Sequence, residues 1–266
     1  MNPVDRLPNT EDAPIFVTGM PRSGTTFIQH LLSQHPRIQI HGQEPADCAW
    51  ADWLNLLLDG VGFAASSNEQ LGYDSQHYAA PNDGHEVAER FLPFMKWYLT
   101  GGQHSPRWGA KSLTQCRIAS EAIQHVWPAA RWIVCIRDPF RCLESLRNTF
   151  DREQEVESEE AIEWWTSAVR FAHEDSGAMP VLFDRLRTPA QRRQQTAEIF
   201  AFIDESVTPE VSDFVEEWPT VHKVVSEDER SYRISQDDRE QMLGLDTEFR
   251  SWVERLGYLD QEATLV

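Results

Sequence analysis

Apolar positions along the chain follow two rhythms. Residues 14–19 (PIFVTG), apolar but for Thr18 and ending in glycine, have the pattern of a short buried strand. From Thr25 the spacing turns helical: Ile28, Leu31 and Leu32 share a face, and Pro36 stops the run. Residues 38–41 read as a second strand and 46–58 as a helix rich in Trp and Leu. Residues 59–84 hold five Gly or Pro and little periodicity, and connections this long tend to be functional or mobile. Helices are expected at 86–100, 115–127, 140–150, 162–173 and 190–203, with a last one from about 236 to 255. Strands are expected at 108–111, 131–136 (RWIVCI) and 180–183. Residues 151–160 hold six acids and one base, which suits a solvated loop and helix start, or a face repelling anionic acceptors. Residues 220–235 read as charged and irregular.

Strands alternating with helices predict an α/β fold: a P-loop-like parallel sheet flanked by helices on both faces. Residues 1–13 read as a polar lead-in and 14–266 as a single domain. Such sheets bind ligands at the carboxyl ends of their strands.

Composition narrows the function. With 266 residues, 41% of them hydrophobic, there is material for a sizeable core. Lys+Arg 24 against Asp+Glu 43 gives a net charge of −19, which disfavours nucleic-acid and anionic-membrane partners. No apolar run reaches the ~18–20 residues a membrane helix needs. Met1 to Asp12 is too polar for a secretory signal, so a cytoplasmic location is expected. Cys48, Cys116, Cys135 and Cys142 show no C-x-x-C and read as reduced thiols. No metal site is expected on this spacing.

Two strand–helix junctions carry candidate chemistry. Residues 19–26 read Gly-Met-Pro-Arg-Ser-Gly-Thr-Thr, leaving a strand and entering a helix. Glycines let the backbone approach an anion, and the first helical N–H groups point at it. Ser23, Gly24, Thr25 and Thr26 can line such a cradle, with Arg22 as a planar cationic fork. The spacing is that of a phosphate-binding G-x-x-x-x-G-K-[ST] loop, but Thr25 stands in the lysine position, which disfavours hydrolysis of a nucleoside triphosphate. At the second junction Arg137 follows a strand, Pro139 suits a first helical turn, and Ser145 lies about two turns up the helix. An arginine at the strand end and a serine up the helix can converge on one phosphate. Asp138 reads as a helix cap.

The segment PIFVTGMPRSGTTFIQHLLSQHP resembles the 5′-phosphosulfate-binding segment of the sulfotransferases that use 3′-phosphoadenosine 5′-phosphosulfate (PAPS). Its P-R-S-G-T-T form is most similar to the Golgi, tyrosylprotein and related bacterial branches. Arg137 and Ser145 match the family's 3′-phosphate motif. The resemblance implies PAPS as donor, no required metal, and an acceptor hydroxyl on a small molecule or carbohydrate. Glu44, in HGQEP, resembles the catalytic base of tyrosylprotein sulfotransferases, although Gln43 replaces a glutamate there. His41 is the rival base. Lys111, in WGAKS, resembles the family's catalytic lysine, with Arg22 sharing the leaving phosphate. Phe183 stands where the family usually has Tyr. Lys223, Ser226 and Arg233 lie where relatives close a loop over the cofactor. A P-loop kinase-like phosphotransferase and a non-catalytic nucleotide-binding protein are the alternatives.

Overall fold

The computed structural model describes residues 13–42, 84–100, 102, 107–111, 120–148, 156–174, 177–186, 188–221 and 233–259. Five strands, β1 (Ile15–Gly19), β2 (Ile38–His41), β3 (Arg107–Lys111), β4 (Arg131–Ile136) and β5 (Ala178–Leu182), form one sheet in the order β2-β3-β1-β4-β5. Every pairing is parallel. β1 is central, and its register with β4 sets Gly19 beside Cys135, so the two junctions leave the sheet side by side.

Both faces of the sheet are covered, which is why its central strands are apolar at nearly every position. Phe16, Trp132, Val134 and Ile136 face one layer. That layer contains α2 (Gly84–Thr100), α3 (Ser120–Val126), α4 (Pro139–Arg147), α5 (Ser158–Glu174), α8 (Gln236–Leu245) and α9 (Thr247–Arg255). Ile15, Val17, Ile133, Cys135 and Val181 face the other. There α1 (Thr25–Ser33), α6 (Pro189–Phe202) and α7 (Pro209–Val221) pack. The Phe16 ring stacks on Trp132 with centroids 4.6 Å apart, fixing two adjacent strands through their largest side chains. β5 is an edge strand and carries Pro180 opposite Val134.

The amino ends of β2 and β3 are closed by an ionic cluster. Glu205 is nearly buried, within 3.6 Å of Arg107, 3.8 Å of His35 and 3.9 Å of Arg37. Arg107 also donates to the Ile203 carbonyl at 2.9 Å. A buried charge is tolerable only when paired in this way. The carboxyl ends of the strands carry the residues of interest.

The structure corrects several expected elements. The expected strand over 180–183 is Ala178–Leu182, and Phe183–Arg185 is a 3-10 turn. The single helix expected over 236–255 is two, because Asp246 adopts extended backbone (φ −142°) and caps α9 by accepting from the Phe249 N–H. α7 has no expected counterpart. The helix expected over 140–150 runs Pro139–Arg147, and that over 115–127 is described as Ser120–Val126. The expected helix at 46–58 lies outside the described residues. Among those residues, no helix is long and apolar enough to cross a membrane.

Candidate functional site

The first junction folds as a tight cradle. Ser23 N–H donates to the Met20 carbonyl at 3.1 Å, and Arg22 takes a left-handed backbone (φ 71°), which costs a non-glycine residue about 1–2 kcal/mol. Gly24 follows at φ 105° and caps α1 without a side-chain hydrogen bond. A Cβ at Gly24 would stand 2.2 Å from the Phe183 ring, so glycine is required by backbone and by space. In the first turn of α1 the Phe27 N–H turns back to the Gly24 carbonyl at 3.0 Å, and the N–H groups of Thr25 and Thr26 precede the first i→i−4 bond of the helix.

Ser23 is fully buried inside this turn, and its hydroxyl has no hydrogen-bond partner among the described residues. Leaving such a group unsatisfied costs ~1–3 kcal/mol. An anion seated in the loop offers it an acceptor. Thr25 is buried, whereas Thr26 is exposed on the first turn.

The second junction is held from three sides. Asp138 caps α4, its carboxylate accepting from the Phe140 N–H at 2.9 Å and the Arg141 N–H at 3.3 Å. The Asp138 N–H donates to the Asp184 carboxylate at 2.8 Å, and the Trp165 indole N–H donates to the Arg137 carbonyl at 2.8 Å. Burial, then the nearby Asp184 charge, push the Asp138 carboxyl above its ordinary pKa. The role of Asp138 as a cap was legible in R-D-P. Trp165 and Asp184 as supports were not, because both reach the turn from distant elements.

The junctions meet through Arg22. Its Nε donates to Ser145 Oγ at 2.9 Å, and Arg137 Nη1 donates to the Arg22 carbonyl at 3.1 Å. Sequence reasoning set Arg137 and Ser145 on a phosphate of their own; the structure adds that both also bind Arg22. Burial, and secondarily the Arg137 charge, lower the Arg22 pKa. Clustered, partly desolvated guanidinium groups are what a multiply charged anion neutralises. Phe183 lies against this pair, with Arg137 over its ring at 5.6 Å and Phe27 edge-on at 6.0 Å.

Lys111 ends β3 and is almost wholly buried. Its Nζ lies 3.4 Å from Thr26 Oγ1, bringing the lysine to the rim of the cradle. His41 ends β2, with its neighbour Ala110 directly before Lys111. The chain leaving β2 passes close to that lysine, since a Cβ on Gly42 (φ 100°) would sit 2.5 Å from the Lys111 carbonyl. Glu44, Lys223 and Ser226 lie outside the described residues. Cys135 and Cys142 are buried free thiols, and burial raises both pKa values.

These contacts bring two groups of hydrogen-bond donors side by side at the carboxyl end of the sheet, with a lysine at one edge. The orphaned Ser23 hydroxyl, the glycine cradle and the paired arginines suit a nucleotide with anionic groups at two positions.

Comparison with known proteins gives a family and a fold. The family model described as "Sulfotransferase family" matches residues 14–186, more than half of the chain. Among solved structures, a sulfotransferase from Alicyclobacillus acidocaldarius is 18% identical, with TM-score 0.52 over 93% of this chain and 95% of that one. Sulfotransferase STF9 from Mycobacterium avium is 18% identical, with TM-score 0.51 over 92% of this chain and 76% of that one. At that identity the two share the fold. No curated protein matches by sequence.

Proposed function

The chain belongs to the sulfotransferase family, and from that membership we propose that it moves a sulfuryl group from PAPS to a hydroxyl of a small-molecule or carbohydrate acceptor. The donor, when bound, supplies an activated sulfuryl group on its 5′-phosphate. Ser23, Gly24, Thr25 and Thr26 hold that end through hydroxyls and backbone N–H groups. Arg137 and Ser145 hold the 3′-phosphate. Arg22 touches both sets and shares the charge of the leaving phosphate. Lys111, beside Thr26, stabilises negative charge as it develops on the leaving oxygen. Glu44 takes the acceptor proton, with His41 as the alternative base. Positioned proton abstraction is worth ~10²–10⁴-fold in rate. Arg22, Lys111 and the loop N–H groups supply the neutralisation that Mg²⁺ gives a kinase, so no metal is required in this reading. The enzyme would work in the cytoplasm.

The observation that carries this reading is the Arg22–Ser145 contact at 2.9 Å, which joins the two anion-binding junctions into one site. Calorimetric titration with 3′-phosphoadenosine 5′-phosphate tests it. Binding to the wild type that is lost in Arg137→Ala is expected. No binding to the wild type overturns the reading, and magnesium-dependent ATP turnover would then assign a phosphotransferase. Binding without transfer to any of a broad acceptor panel would assign a nucleotide-binding protein.

A further inference from the structure

A carboxylate rarely lies buried without a partner that justifies it. Glu144 is 7% exposed on α4, immediately before Ser145. Its Oε1 accepts the backbone N–H of Ile234 at 3.1 Å, from a residue 90 positions later. Ile234 is itself buried and packs into the core with Met242 and Phe249. The next residue, Ser235, caps α8 in a reciprocal capping box with Asp238. One turn on, Arg239 lies over the Phe140 ring at 5.1 Å, in the first turn of α4. The returning chain is thus seated on α4 at two heights. Successive helical residues point ~100° apart. Ser145 therefore reaches the phosphate loop through Arg22 while Glu144 reaches the returning chain.

We propose that Glu144 is a positioning residue for donor binding: by holding the Ile234 amide at the start of the α8 segment, it fixes that segment against the helix that carries Ser145. A neutral hydrophobe at 144 would fill the space but leave the Ile234 N–H without its charged acceptor. A backbone N–H bonded to a carboxylate is among the stronger hydrogen bonds in proteins. The bond crosses between elements, so its loss frees the segment rather than unfolding α4. The role rests on the donor site described above and adds a residue that touches neither donor nor acceptor.

The test uses Glu144→Ala, Glu144→Gln, and Thr188→Ala as a control that removes the cap of α6 on the opposite face of the sheet. Hydrogen exchange of the Ile234 amide is followed without ligand, and 3′-phosphoadenosine 5′-phosphate affinity by calorimetry. In Glu144→Ala, exchange at Ile234 should rise at least tenfold and affinity fall at least tenfold. In turnover, the donor KM should rise while the acceptor KM holds. Glu144→Gln, which keeps an acceptor oxygen, should recover part of each effect. Unchanged exchange in Glu144→Ala overturns the anchor. Faster exchange with unchanged affinity overturns the role in donor binding, as does an equal affinity loss in Thr188→Ala. If the wild type binds no nucleotide, the sulfotransferase site itself fails, and the exchange result still decides whether Glu144 anchors the segment.

Discussion

Arg22 Nε donates to Ser145 Oγ at 2.9 Å, across 123 positions of sequence. The parallel pairing of β1 with β4 makes this possible by ending both strands at one level of the sheet. In the proposed donor site Arg22 and Ser145 act on one anion together. Arg22→Ala and Ser145→Ala should each weaken binding of 3′-phosphoadenosine 5′-phosphate about tenfold or more. The double variant should lose less than the sum, with a coupling of ~0.5–3 kcal/mol by calorimetry.

Gly24 is the tightest point of the phosphate loop. In Gly24→Ala the new methyl group meets the Phe183 ring while φ stays in the left-handed region. Denaturant titration should show a loss of ~1–3 kcal/mol, the usual range for a strained backbone residue. Adding Phe183→Ala should relieve the clash, so this second substitution costs less in the Gly24→Ala background than in the wild type. Strict additivity would mean that the ring does not limit the loop.

Lys111 is buried at the edge of the cradle, against Thr26. Lys111→Met keeps the apolar stem and removes the charge. The expected loss is ~10²–10³-fold in kcat, the scale for deleting one donor to a developing oxyanion. Affinity for the intact donor, in which that oxygen still bridges to sulfur, should change far less. A kcat within about threefold of wild type, far short of that scale, would exclude Lys111 from the chemistry.

Asp138 supplies a pH signature. Its pKa is raised from 3.8, first by burial and then by Asp184, so the folded protein holds this proton more tightly than the unfolded chain does. Stability from this group is therefore greatest below the unfolded value and falls as pH rises through the raised folded one. Asn keeps the cap oxygen and removes the charge. The melting temperature of Asp138→Asn relative to wild type should climb with pH across that interval and then level off. A difference independent of pH would mean that the charge at 138 carries no penalty.

The parts legible in the sequence are those with a local cause. The runs IFVTG and RWIVCI announce strands because both their faces are covered, and the cap at Asp138 follows from an acid before Pro139 at a helix start. The break at Asp246 has no signature in the apolar pattern, which continues across it: Met242 and Phe249 pack in the same core cluster. α7 carries a weak local signal, because among its described residues the buried hydrophobics are Val211 and Val215. Within the site, residue types were readable and pairings were not. The contacts of Arg22 with Ser145, Asp184 with Asp138, and Glu144 with Ile234 all depend on chain segments that only the sheet and its helices bring together.

The two borders of the sheet are poor templates for another chain. β2 is four residues long, and β5 has Pro180 at its middle, where one ladder N–H is missing. A second molecule seeking to extend the sheet would find one border too brief and the other interrupted. Intermolecular strand addition, and the fibrous aggregates it seeds, are thereby disfavoured at both borders.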